Sequence, residues 1–203
     1  MRLRTRFALG IGAGITAAVA LCVGTGLWFI GGLIQDDVQR QLAAGSRQFD
    51  AEIATQAQRA QSMARLVAHV PTFVAAFAAQ NREALGAALL PAFPSIKEDG
   101  FEQFQFHLPP AVSFLRVHKA EKFGDDLSGF RKTVVEANRT RRDVRGLEGG
   151  VAGIGIRAVS PVTSGGEHVG TVEFGFGFDK DFVKAFTERT GLRLALLVDA
   201  KEK

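Results

Sequence analysis

Hydrophobic and polar positions divide the chain into three regimes. Residues 7–34 carry no charged side chain. A helix of that length, rising about 1.5 Å per residue, exceeds the roughly 20 residues needed to cross a hydrocarbon core. Trp28 and Phe29 sit near its end, where an interfacial aromatic belt is expected. A secretory signal peptide has a shorter apolar region, roughly 7–15 residues, followed by a small-residue cleavage site. The pattern therefore predicts an uncleaved transmembrane helix. Its glycines, Gly10, Gly12, Gly14, Gly24 and Gly26, are tolerated in a membrane and permit close helix packing.

The second regime, residues 35–77, reads as one long helix rich in Ala, Gln and Arg. Apolar residues recur at Val38, Leu42, Phe49, Ile53, Ala57, Ala60, Met63, Val67 and Val70. Those steps give one narrow stripe. Such a stripe continuing a membrane helix resembles a coiled-coil seam, and a homodimer is expected. A helix lying on its own domain's sheet gives the same stripe. Both hold if the membrane-near part pairs with a second subunit and the distal part covers the sheet.

The third regime mixes elements. Residues 71–94 read as short helices and turns. Residues 101–108 and 112–118 read as strands, 127–139 as a short helix with Phe130, Val134 and Val135 inward, and 144–148 as an extended piece. Residues 151–162 and 168–178 alternate as two strong strands joined at Gly165-Gly166, a two-residue hairpin turn. Residues 179–190 read as a helix with Asp179 as N-cap and Gly191 just past its end. Residues 192–198 read as a last strand. Hairpins interleaved with helices predict an α+β fold.

Composition changes this picture little, and charge orients it. The formal net charge is +4 over 203 residues, with acidic and basic residues mixed along most of the chain. Arg2, Arg4 and Arg6 precede the apolar segment, and Asp36 and Asp37 follow it. The positive-inside rule then places the N-terminus in the cytoplasm and everything after Ile34 outside, as a single-pass protein of a bacterial inner membrane with a periplasmic domain. The expected domains are 1–6 cytoplasmic, 7–34 transmembrane, 35–77 signalling and dimerisation helix, 78–199 sensor module, and 200–203 a truncated end. No second membrane helix or output module follows, so the chain is expected to be a fragment. Cys22 is the one cysteine and lies in the apolar segment. Disulfides, cysteine-held metals and covalent haem are thus excluded beyond it.

The stretches Phe104–Lys119, Lys122–Ser128, Val134–Asn138, Gly146–Arg157 and Val169–Gly175 resemble the Cache family of extracellular sensing domains. The pattern is similar to the membrane-distal module of a double-Cache sensor, as attached to methyl-accepting chemotaxis proteins, and covers residues 36–199. The resemblance implies a PAS-like antiparallel sheet with flanking helices. It also implies a ligand pocket between the sheet's concave face and its covering helices and loops.

Candidate binding residues follow from strand alternation. Phe114, Arg116 and His118 share a face on one strand, offering an aromatic wall, a bidentate guanidinium and a second donor for a small anion. Alternatively, Arg116 pairs with a nearby carboxylate. His107 and His118 invite a metal reading, but two histidines without a carboxylate pattern are more often structural. Arg131 and Asn138 flank the short helix and are placed to close over a ligand. Arg157, costly on a core strand unless paired, either pairs with Glu173 on the hairpin partner or joins it in recognising an amino acid's carboxylate and amine. Gly153-Ile-Gly155 and Gly175-Phe-Gly177 lack the helix and lysine of a phosphate loop, and are expected to permit bending or close approach. The run Arg139–Arg145 follows a helix end, where positive charge is favoured. Its external position argues against nucleic acid.

No local Ser-His-Asp or Cys-His signature is present, so no enzyme is expected, and no metal or cofactor. The expected function is the ligand-sensing region of a transmembrane receptor, of chemoreceptor or sensor-kinase type. It would bind a small carboxylate or amino acid at Phe114, Arg116, His118, Arg131, Arg157 and Glu173. The alternative is a periplasmic protein-interaction scaffold.

Overall fold

A computed structural model describes residues 2–150 and 153–194. The chain divides into two compact units, residues 1–48 and 49–203. From Arg2 onward the first belongs to helix α1, Arg2–Ala68. Its apolar side chains point outwards: Trp28 is 82% exposed and Leu27 66%. Its most apolar window has a mean hydropathy of 2.0 and none of it is buried, which by length and composition suits a membrane span. The Thr25 hydroxyl donates to the Leu21 carbonyl at 2.8 Å, so the helix itself satisfies this polar group.

The second unit is an α+β domain. After α1 come α2 (Pro71–Ala78), α3 (Arg82–Leu89), a 3-10 turn (Leu90–Ala92) and α4 (Phe93–Glu98). Then follow strands β1 (Phe101–Leu108) and β2 (Val112–Arg116), helix α5 (Lys132–Thr140), strands β3 (Val144–Gly150), β4 (Gly153–Ser164) and β5 (Glu167–Gly177), and helix α6 (Lys180–Thr190). The strands form one antiparallel sheet in the order β2-β1-β5-β4-β3.

One sheet face is apolar. Phe104 and Phe174 stack at 4.1 Å between ring centroids, and Phe77 of α2 packs edge-on to Phe106 at 5.1 Å. Ala57, Ala60 and Ala64 of α1 are buried against this layer, so the distal part of the stripe does cover the sheet. Alanines at steps of three and four let the helix backbone approach closely. A buried polar tie crosses the interface where Gln61 Nε2 donates to Ser160 Oγ at 2.7 Å.

Several element ends differ from expectation. The long helix stops at Ala68 and a new one starts at Pro71, because the residue before a proline is pushed out of the α region; Val70 has ψ 115. Helix α5 starts at Lys132 rather than 127, and Phe130 is 38% exposed rather than inward. Strand β2 ends at Arg116, leaving His118 in the following turn. Residues 151–152 and 195–203 lie outside the described residues, as does most of the expected last strand, and residues 192–194 have no regular structure.

Local signals hold elsewhere. Gly165 and Gly166 have φ 58 and 87, as a type I′ hairpin turn demands. Asp179 accepts from the Asp181 and Phe182 amides, and Gly191 closes α6 at φ 72.

Candidate functional site

The other sheet face is polar. Register sets Gln105 of β1 opposite Arg116 on one side and opposite Glu173 on the other. Helix α5 covers part of this face through Val134 and Ala137, which pack with Ala111, Leu127 and Val159. Beside it lies a cavity of about 150 Å³. Gln103 and Gln105 line it from β1, Arg116 from β2 and Arg157 from β4, with Arg131 entering just before α5. Lys119, Lys122 and Asp125 contribute from the loop after β2.

Glu173 is the hub beneath this cavity and is fully buried. Its Oε1 accepts from Arg131 Nη2, and Arg157 Nε lies 3.8 Å from the same oxygen. Burial alone would raise the carboxyl's pKa. The Arg131 charge, with Arg157 behind it, outweighs burial and holds it at about 2. Glu148 of β3, also buried, accepts from the Thr133 amide at 2.7 Å and hydroxyl at 2.9 Å, capping α5 from the sheet.

Arg157 is 3% exposed, and burial pulls its pKa down. Among the described residues its Nε and Nη1 have no hydrogen-bond partner. Its guanidinium lies over two glycines. A β-carbon at Gly155 would stand 2.5 Å from Nη2, and one at Gly175 would stand 2.6 Å from Nη1. The glycines therefore make a cradle for the side chain. This is a more specific role than general strand bending.

His107 is buried beside Glu173, its Nε2 3.4 Å from Oε2. Burial outweighs the attraction of that carboxylate and lowers the imidazole pKa to about 3, so it is neutral near pH 7. An unfolded histidine takes up its proton near pH 6.5, and the folded one refuses it until about pH 3. The contribution of His107 is thus complete above pH 6.5 and is lost as pH falls through that window. Stability is expected to drop by about 1.4 kcal/mol per pH unit below roughly pH 6 from this group. Thermal melts at stepped pH check it. A His107→Gln variant that keeps the same slope would refute it.

The six expected binding residues separate into groups. Arg116, His118, Arg131 and Arg157 line the cavity. Glu173 lies beneath it, engaged chiefly by Arg131 rather than by Arg157. Phe114 is on the opposite face, 5.1 Å from Phe77 in the apolar core. The reason is a bulge: register shifts between Phe106 and His107, so strict alternation fails and Phe114 joins Leu115 on the core side.

Arg116 makes the carboxylate pair that sequence left as the alternative, two-pronged to Asp125 at 2.7 Å and 2.7 Å, with Nη1 also reaching the Lys122 carbonyl. The Arg116 hydrogen bonds hold the Asp125 carboxyl below its usual range. The His118 Nδ1 lies against the Phe104 backbone, 3.1 Å from its carbonyl oxygen and 3.3 Å from its amide nitrogen, and His107 stands apart on β1, so the two histidines have separate surroundings. Asn138 donates to the Pro110 and Val134 carbonyls and lies in the core of α5's packing. Sequence reasoning missed Gln103, Gln105, Lys119 and Lys122. The paired Gly-x-Gly motifs around Arg157 were the signal for its cradle.

A family model described as a double sensory domain of two-component sensor kinases matches residues 35–202. No curated protein is similar enough to match the chain. Among solved structures, the sensor domain of E. coli DcuS superposes with a TM-score of 0.53 at 13% identity, covering 69% of this chain and 98% of that one. The sensor domain of the V. cholerae histidine kinase DctB gives 0.55 at 12% identity, over 69% of this chain and 56% of that one. At such identities the likeness is one of fold, and that fold is the Cache type: a long helix, then a five-stranded antiparallel sheet with flanking helices.

Proposed function

The chain belongs to the family of double sensory domains of two-component sensor kinases, and from that premise we propose that it is the extracytoplasmic ligand-sensing region of a bacterial transmembrane receptor. It binds a small anion, a carboxylate or the carboxylate end of an amino acid, in the cavity beside α5. A kinase output is favoured over a chemoreceptor by the family's description. The N-terminus is cytoplasmic, by the charge asymmetry around the apolar helix.

The observation that carries this reading is Arg157, buried at the cavity with Nε and Nη1 unpartnered. A buried donor without an acceptor is costly, and a carboxylate entering the cavity repays that cost. Arg131 is already matched by Glu173, whereas Arg157 has charge to spare. Glu173 is fully buried and does not line the cavity, so it is poorly placed to take a ligand's amine, and the carboxylate end is the better supported half of the ligand.

Signalling runs through α1, which carries both the sheet-covering alanines and the apolar segment. A shift of α1 on ligand binding moves the membrane helix, and a homodimer seam at Val38 and Leu42, both exposed, is the two-state element.

The test is a thermal-shift and calorimetric screen of the full chain in zwitterionic detergent against small carboxylates and amino acids. A ligand at 100 times its Kd is expected to stabilise the protein by about 2.7 kcal/mol. Arg157→Gln is expected to weaken binding roughly tenfold or more. A screen without any stabilising carboxylate, or an Arg157→Gln variant that binds like the parent, would sink the proposal.

A further inference from the structure

Within the basic run Arg139–Arg145, Arg141 and Arg142 take no part in the sensory cavity and line a cleft of their own. Helix α5 ends at Thr140, and Arg141 caps it with φ 55, its amide donating to the Ala137 carbonyl at 2.9 Å. That left-handed cap position ordinarily holds glycine or asparagine, because a β-carbon crowds the backbone there. Arg142 follows, and Arg65 and His69 from α1 face the same space, an open cleft of about 560 Å³ bounded by Ser160 and Thr163 of β4.

Asp143 is the one carboxylate lining this cleft, and both its oxygens are engaged. Oδ2 accepts from Arg65 Nε at 2.5 Å, and Oδ1 accepts from Ser160 Oγ at 2.8 Å. Arg141 and Arg142 are exposed in the cleft, with Arg139 and Arg145 exposed alongside in sequence. His69 Nδ1 donates to the Arg65 carbonyl at 2.7 Å, so Nε2 of the neutral ring is an acceptor and the histidine lines the cleft without a donor for an anion.

Like charges are thus crowded about one committed carboxylate, and one of them sits in a strained backbone conformation. Strain and crowding of this kind persist where they serve a partner. Guanidinium groups match phosphate oxygens two at a time. We propose that this cleft binds an anion bearing two or more phosphate groups, gripped by Arg141 and Arg142 with Arg65 opposite. The site is independent of the sensory cavity. Its phosphates come either from a soluble phosphoester or from phospholipid head groups.

The experiment uses the full chain in phosphatidylcholine nanodiscs, titrated with inorganic triphosphate by calorimetry at about 0.15 M salt, where exposed charges are screened beyond ~8 Å. Saturable binding is expected, weakened roughly tenfold by Arg142→Gln. Arg141→Gly is expected to act in opposite directions. It raises the melting temperature, because glycine accepts the left-handed cap, and it weakens triphosphate binding. Arg157→Gln is expected to leave triphosphate binding unchanged. Competition by phosphatidylglycerol vesicles supports lipid head groups as the source, and its absence supports a soluble phosphoester. Four results would each overturn the site: no saturable binding at that salt, parental affinity in Arg142→Gln, parental affinity in Arg141→Gly, or loss of binding in Arg157→Gln.

Discussion

Replacing Glu173 with alanine is expected to destabilise the domain by about 3–5 kcal/mol. The carboxylate is fully buried, bonded to Arg131 and near Arg157, and each of those guanidiniums is at least 95% buried by side-chain exposure of 5% and 4%. Removing it leaves Arg157 without its carboxylate and Arg131 with only Glu148, 3.5 Å from its Nε, in a low-dielectric interior, which is costlier than losing the attraction alone. Urea unfolding followed by far-UV circular dichroism measures the loss. Glu173→Gln keeps the shape and loses the charge, so it is expected to fall between the parent and Glu173→Ala. The same change has a second consequence with the opposite sign. With the negative charge gone, Arg157 is fully available to a ligand and Arg131 is held only by Glu148, so anion affinity is expected to rise in whatever protein remains folded. A destabilisation under about 1 kcal/mol would mean that the guanidiniums do not depend on Glu173.

Gly170→Ala is expected to be comparably severe, at about 3 kcal/mol or more. Gly170 lies in β5 at φ 148, just where register slips between Val162 and Thr163. A β-carbon there would overlap the His107 carbonyl oxygen and stand 2.7 Å from Phe77 Cζ. A backbone oxygen cannot rotate aside as a side chain can. Strands β1 and β5 would have to part at His107, directly above the Glu173 network. Gly124 supplies the comparison. It has φ 83, but nothing lies within 4 Å of its missing β-carbon, so Gly124→Ala is expected to cost about 1 kcal/mol, from conformation alone. Equal losses at the two positions would show that close packing at Gly170 is unimportant. Soluble yield and urea midpoints read both.

The two variants probe the same arrangement, in which β5 is the sheet's central strand and carries the buried carboxylate. Much of that arrangement was visible in the chain's pattern. Alternation marked β1, β4 and β5, Gly165-Gly166 marked their hairpin, and Arg157 and Glu173 stood out as charges on core strands. Yet the pairing expected between Arg157 and Glu173 is the weaker one at 3.8 Å, and the stronger partner is Arg131. Arg131 precedes a helix and carries no strand signal to associate it with β5.

Sequence by itself determined the apolar span of residues 7–34, the apolar stripe of α1, the hairpin turn, the Asp179 cap and the α+β order. Each of these depends on sterics and hydrogen bonds among residues a few positions apart, and those are the same in any fold. Tertiary structure alone decided which charges meet. The β1–β2 bulge sent Phe114 to the core while keeping Arg116 at the cavity. Strand order set β5 between β1 and β4, bringing Arg131 to Glu173 across 42 positions. Register set the two glycines under Arg157. A buried charge takes its partner from whatever register and strand order deliver, and neither is encoded in the few residues around it.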